Sequence, residues 1–188
     1  MILYVNACVR PVSRTKYLAD KLIAEMQDMD IKRINLEEIT FPKVDNAFID
    51  RRDELISRES FDDDLFCFAR DFAAADTIVM AAPFWDLSFP SMLKQYLEQV
   101  CVVGITFTYE NDIPVGLCKA ENLYYVTTAG GLIFNAQFGY GYVESLAKTF
   151  YGIQNCHFIH AENLDIAGAD VGAILKDAEE NIRALKLD

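Results

Sequence analysis

AAPFWDLSFPSMLKQYLEQVCVVGITFTY, residues 81–109, is the stretch whose reading decides the fold. It continues an apolar run, Thr77-Ile78-Val79-Met80-Ala81-Ala82, which is too short for a domain-length helix and is bounded like a buried strand. A loop with two large aromatics follows, Pro83-Phe84-Trp85-Asp86-Leu87. Pro90 then stands at a first-turn position, where a missing N–H costs nothing, with Ser88 or Phe89 flanking it. Met92, Leu93, Tyr96, Leu97, Val100 and Cys101 recur at helical spacing, and Gly104 is placed to cap the helix C-terminus. The unit is strand–loop–helix, and its loop leaves the carboxyl end of a buried strand. In open α/β sheets that is where ligands bind.

The same alternation runs outward in both directions. Residues 2–6 read as a buried strand, and Arg14 to Met29 as a helix with Tyr17, Leu18, Leu22, Ile23 and Met26 on one face. Ile31 to Leu36 is a second strand. Residues 37–60 are charged and irregular, a long connection with room for one surface helix. Phe61 to Ala75 carries a helical apolar stripe behind Asp62-Asp63-Asp64, which suit a helix N-terminus. Thr106 to Pro114 reads as a short extended piece and a turn. Asn122 to Thr128 is a fourth main strand, ending in Ala129-Gly130-Gly131. Phe138 to Tyr151 starts Gly-rich and becomes helical, Asn155 to His160 is a fifth strand, and Val171 to Leu187 is a closing amphipathic helix. Strands alternating with helices imply parallel pairing through right-handed crossovers. The expected fold is a flavodoxin-like α/β three-layer sandwich: a five-stranded parallel sheet of order 2-1-3-4-5 with helices on both faces, in one domain over 1–188.

Composition narrows the functions. A content of 52% hydrophobic and 24% charged residues is that of a folded globular chain, and no apolar segment reaches the roughly 20 residues that span a bilayer. The first residues start a strand without a basic or cleavable leader, which gives an expectation of cytoplasmic location. A net charge of −12 argues against nucleic-acid partners and against docking on anionic membranes. Cys8, Cys67, Cys101, Cys118 and Cys156 form an odd, scattered set that reads as reduced thiols. His157 and His160 fall on opposite sides of a strand, so no metal site is expected there.

Three loops at one sheet edge carry unusual chemistry. Ser13, Arg14 and Thr15 open a helix, where hydroxyls, free amides and the positive end of the helix dipole suit a phosphate; on that segment alone a plain N-cap role for Ser13 is the better reading, because capping is common and phosphate binding rare. Phe84, Trp85 and Leu87 can pack against a planar ring, or can serve a core or a subunit interface. Thr128, Gly130 and Gly131 remove bulk where a ligand could approach, although a turn also explains a Gly-Gly pair. Together they point to a planar, phosphorylated cofactor such as FMN. No Walker loop and no G-x-G-x-x-G fingerprint follows the first strand, which disfavours ATP and dinucleotide sites.

These segments resemble the FMN-dependent NADH-azoreductases and the related NAD(P)H:quinone oxidoreductases. The resemblance rests on Ser13-Arg14-Thr15 with Leu18-Ala19, on Ala82 to Leu87 continuing through Leu93-Lys94 to Gly104-Ile105-Thr106-Phe107-Thr108-Tyr109, on Thr128-Ala129-Gly130-Gly131, and on Tyr151-Gly152-Ile153 with Ala161-Glu162-Asn163-Leu164. It implies a homodimer that binds FMN, in preference to FAD. NADH or NADPH would reduce it, and a quinone, azo compound or nitroaromatic would be the small-molecule acceptor, in a ping-pong scheme. Ser13, Arg14 and Thr15 would contact the phosphate. Pro83, Phe84, Trp85, Asp86 and Leu87 would bind the ring, and Thr128, Gly130 and Gly131 would line its other side. No catalytic side chain is implied, because the flavin carries the chemistry. Against the family pattern, Ala7 replaces a phosphate-contacting Ser, Asp86 a common Asn and Ile133 a His. Two other readings of the same residues are a flavodoxin-like electron carrier and a family member that has lost its cofactor.

Overall fold

The computed structural model describes residues 1–26 and 29–185. Its centre is a parallel sheet of β1 (Ile2–Asn6), β2 (Ile31–Asn35), β3 (Thr77–Ala81), β6 (Asn122–Thr128) and β7 (Asn155–Ala161). The strands lie in the order β2-β1-β3-β6-β7, which is 2-1-3-4-5 when only strands of this sheet are counted. The remaining two strands, β4 (Phe107–Glu110) and β5 (Ile113–Gly116), form a separate antiparallel hairpin. Asn111 and Asp112 close that hairpin with φ of 51° and 63°, the left-handed pair that a two-residue turn of the right twist demands. The segment expected to be an extended piece and a turn is therefore a complete hairpin.

Parity along the strands sorts side chains between two cores. Leu3, Val5, Ile78, Met80, Leu123 and Tyr125 share one cluster with Phe72, Tyr96, Leu97 and Val143. Ile2, Tyr4, Val79, Ala81, Tyr124 and Val126 share the other with Leu18, Leu22, Ala178 and Ile182. Every residue of β1 and β3 is buried, which is why these strands read as unbroken apolar runs.

The helices are α1 (Arg14–Glu25), α2 (Asn46–Ser57), α3 (Cys67–Ala74), α4 (Ser91–Val100), α5 (Tyr140–Leu146) and α6 (Val171–Arg183). Helix α1 starts where the Ser13 side chain accepts the Lys16 amide, and it buries Leu18, Ala19, Leu22 and Ile23. It stops at Glu25, four residues short of the expected end; positions 27 and 28 of that prediction lie outside the described residues. Helix α6 is tied to α1 by Tyr17 donating to Glu179 at 2.5 Å. It ends at Arg183, and the tail of its predicted span beyond residue 185 lies outside the described residues.

Other boundaries shift for physical reasons. Pro90 occupies the N-cap position of α4, with φ −56° and ψ 143°, and Ser91 is the first helical residue. Gly104 does not cap α4. The Thr106 hydroxyl donates to the Val100 carbonyl and accepts the Val102 amide, which ends the helix a turn earlier. Gly104, at φ +86°, instead lets Phe61 pack where a Cβ would sit. Asp63 caps a short 3₁₀ turn, Asp64–Phe66, so α3 begins at Cys67 and not at Phe61. Helix α2 buries no residue. Of its arginines, Arg51 holds Asp63 and Arg52 donates to the Cys101 carbonyl.

Candidate functional site

Parallel pairing puts the carboxyl ends of β1, β3, β6 and β7 on one edge. The sequence runs from β1 outward to β2 on one side and from β3 to β7 on the other, so a crevice opens between the β1 and β3 ends. Backbone bonds stitch the loops across it. The Ala7 amide donates to Ala81 at 2.8 Å, Ala82 to Val126 at 3.0 Å, Phe84 to Thr128 at 3.1 Å and Ala129 to Ala161 at 2.9 Å. Above these bonds lies a cavity of about 400 Å³, within the range of roughly 300–1,000 Å³ usual for small-molecule sites.

Ser13, Arg14, Thr15, Pro83, Phe84, Trp85, Thr128 and Gly130, all expected from the sequence, line this cavity. Asp86, Leu87 and Gly131 do not. Asp86 and Leu87 form the tip of a tight turn in which Trp85 and Ser88 exchange backbone bonds of 3.0 and 2.8 Å. Their φ values of 50° and 66° mark the mirror-image turn, and Leu87 is 54% exposed. Gly131 accepts the Asn163 amide through its carbonyl, and nothing lies within 4 Å of where its Cβ would be.

The first-turn donors of α1 are positioned for an anion. The Ser13 hydroxyl is taken as the N-cap acceptor at 3.2 Å from the Lys16 amide. The Arg14 and Thr15 amides meet no acceptor among the described residues, as the first turn of a helix leaves them. Thr15 is buried, and its hydroxyl meets that of Thr128 at 2.6 Å, joining the loops after β1 and β6.

The Arg14 side chain has a task besides that of its free amide. Its guanidinium donates to the Leu164 carbonyl at 3.2 Å and to Asp165 at 2.7 Å, bracing the loop after β7. Asp165 in turn donates its amide to the Gly130 carbonyl, and its side chain packs where a Gly130 Cβ would lie, 2.4 Å from Oδ2. The glycine therefore makes room for Asp165.

Leu164, Asp165, Arg10 and Val12 also line the cavity and were missed by sequence reasoning. Ala161 to Leu164 was noted at the end of the fifth strand, and parallel pairing puts that end beside the other three; this was the available signal. The Cys8 thiol is buried beneath the loop, and burial pushes its pKa up to about 11, so it is no thiolate at neutral pH. Ile133 donates its amide to Glu162 at 2.6 Å and fixes the loop after β6 to the end of β7. His157 stacks on Tyr124 and His160 on Phe158, on opposite sides of β7.

The donor set suits a planar phosphorylated molecule: free helix-terminal amides and a guanidinium at one end, Phe84 and Trp85 at the other. Fold and site together define a flavodoxin-like protein, and the family profile of the flavodoxin-like fold matches residues 1–185. Over 195 residues the chain is 34% identical to FMN-dependent NADH:quinone oxidoreductase 2 of Clostridium acetobutylicum, covering 97% of this chain and 96% of that one. Two solved structures share the fold. They are an azoreductase from Bacillus anthracis Sterne (TM-score 0.84, 20% identity, 96% and 95% of the two chains) and an FMN-dependent NADH-azoreductase from Bacillus anthracis Ames Ancestor in complex with FMN (TM-score 0.80, 18% identity, 96% and 95%). The chain belongs to the family of FMN-dependent NADH:quinone oxidoreductases, on a flavodoxin-like fold.

Proposed function

We propose that this chain is an FMN-dependent NAD(P)H oxidoreductase that reduces quinones, azo compounds or nitroaromatics by two-electron transfer. The observation that carries this reading is the cavity at the sheet edge. There, free amides at the start of α1 face the aromatic loop after β3 across the switch point. FMN held there would supply hydride-transfer chemistry between NADH or NADPH and the acceptor.

The residues have separate tasks. The Arg14 and Thr15 amides bind the phosphate, with Ser13 holding the helix start open. Thr15 and Thr128 fix the spacing between two loops through their shared hydrogen bond. Phe84 and Trp85 would flank the ring, and the Asp86–Leu87 turn, at the rim outside the cavity lining, would offer its amides to the ring edge. Those two amides make no backbone hydrogen bond among the described residues. Gly130 admits Asp165, which keeps Arg14 in place.

The reading extends to a single three-layer domain over 1–188 with helices on both sheet faces, and to a homodimer. Exposed Trp85, Leu87, Phe134 and Phe138 on the loops beside the cavity support subunit contact there. A cytoplasmic location agrees with five free cysteines. Among the described residues no helix is long and apolar enough to cross a membrane.

An FMN titration of flavin-free protein followed by anaerobic NADH tests the proposal. Saturable quenching of flavin fluorescence, then bleaching of the flavin band and turnover with a quinone, is the expected result. Binding without bleaching would indicate an electron carrier instead. Absence of binding would refute the reading.

A further inference from the structure

Acidic residues outnumber lysine and arginine 29 to 17, so a cation in this chain has an excess of possible partners. The described cations use them. Arg33 holds Asp20, Arg58 holds Glu54, Lys119 holds Asp76, and Arg70, like Arg52, donates to backbone carbonyls. Every other described lysine and arginine has such a partner except Arg10, which makes no ion pair or hydrogen bond among the described residues. Arg10 is exposed and lines the cavity. Pro11 follows it and restricts its backbone to extended conformations, so part of the ordering cost of that residue is already met.

Arg14 cannot supply the same charge. Its guanidinium is neutralised at 2.7 Å by Asp165, which faces the same cavity. A phosphate monoester carries about −1.5 to −2 at neutral pH. The α1 terminus offers only about half a positive charge, and the field of a chain at −12 opposes the anion. The uncompensated side-chain cation of the cavity is Arg10. We propose that Arg10 is the counter-charge for the phosphate of bound FMN, and that Arg14 is a positioning residue bracing the loops. This rests on the function proposed above.

The test compares FMN with riboflavin, which lacks the phosphate, in fluorescence titrations of flavin-free protein. Arg10→Gln should weaken FMN by about 10- to 100-fold, the range of a charged hydrogen bond, and leave riboflavin unchanged. Its FMN affinity should also depend less on salt. Arg14→Gln with Asp165→Asn removes a neutral pair and should leave the FMN-to-riboflavin ratio within a few-fold of wild type. A wild-type ratio in Arg10→Gln would overturn the assignment, and so would equal weakening of both flavins. An unchanged ratio with a raised KM for NADH or NADPH would also overturn it, placing the cation on the donor's phosphates. If wild-type protein binds FMN and is reduced by NADH, such results remove this assignment alone. If it binds no flavin, both readings fall.

Discussion

Replacing Gly116 with alanine tests the packing that holds the β4–β5 hairpin to the domain. A Cβ there would lie 2.2 Å from the Gly152 nitrogen, 2.3 Å from the Tyr151 carbonyl carbon and 2.5 Å from the Gly152 Cα. All three are backbone atoms, so no rotamer change relieves the contact. The hairpin must retreat by roughly 1 Å to reach van der Waals separation. Phe107 sits on that hairpin with its ring 4.8 Å from Phe150, and Tyr151 is wedged 4.8 Å from Phe72, so retreat loosens both aromatic contacts. Overpacking costs about 1–3 kcal/mol, and a rigid backbone obstacle belongs at the upper end. The smaller entropy of an unfolded alanine returns about 0.4–1 kcal/mol. The net is about 2 kcal/mol, which lowers Tm by roughly 4–8 °C for a domain of this size. Gly131→Ala is the matched control, because nothing lies within 4 Å of its Cβ and its φ is not positive. It should leave Tm unchanged or raise it by roughly 1–4 °C. Thermal melts of the two flavin-free variants decide the matter. A Tm for Gly116→Ala within a degree of wild type, or equal losses in both variants, would refute the reasoning.

Three further outcomes follow from other sites. Ser13→Ala should lose about 1 kcal/mol of stability through the α1 cap and also retain FMN less well, read by urea denaturation and by flavin loss on dialysis. Asp76 is held down to about 2 from its ordinary 3.8 by Lys119 and the N-terminal amine. Because its folded pKa is depressed, its stabilising effect is complete above pH ~4 and is lost as pH falls through about 2. Asp76→Asn should flatten the stability profile in that window, and an unchanged profile would show that the ion pairs do not contribute. The Cys8 thiol, pushed up to about 11, should resist alkylation at pH 8 until the protein unfolds; modification faster than unfolding would mean the loop above it opens locally.

The sheet was legible because its inner strands are buried on both faces and so read as apolar runs such as Ile78-Val79-Met80. Helix α2 was legible only as one surface helix without bounds within 37–60, because it buries no residue and leaves no stripe to find. Gly104 misled for a related reason: the cap rule is local, whereas α4 is ended by the Thr106 hydroxyl reaching back to Val100 and Val102. The candidate site was legible in those loops that carry their own chemistry, at Ser13 to Thr15 and Phe84 to Trp85. Asp165 was invisible because its role depends on Arg14, 151 positions away in the chain. Arg10 was invisible because what singles it out is the pairing of all the other described cations, which only coordinates reveal.

The strain at the rim of the cavity is best understood by what holds it. Asp86 and Leu87 both sit at positive φ, which costs an ordinary residue about 1–2 kcal/mol each. Neither side chain is buried, and Leu87 is half exposed, so hydrophobic packing does not offset that cost. The offset comes from the turn's flanks: two backbone bonds between Trp85 and Ser88, and the Ser88 hydroxyl donating to the Phe138 carbonyl at 2.6 Å. Those bonds tie the loop after β3 to the loop after β6, as the Phe84–Thr128 bond does one step closer to the sheet. A relaxed turn of ordinary hand would splay the flanking strands and release both ties. The left-handed pair is thus what lets Phe84 and Trp85 stand over the switch point on a fixed backbone. A flat ligand that must be gripped at its edge needs that fixity, and an unstrained loop would have to order itself anew at each binding event.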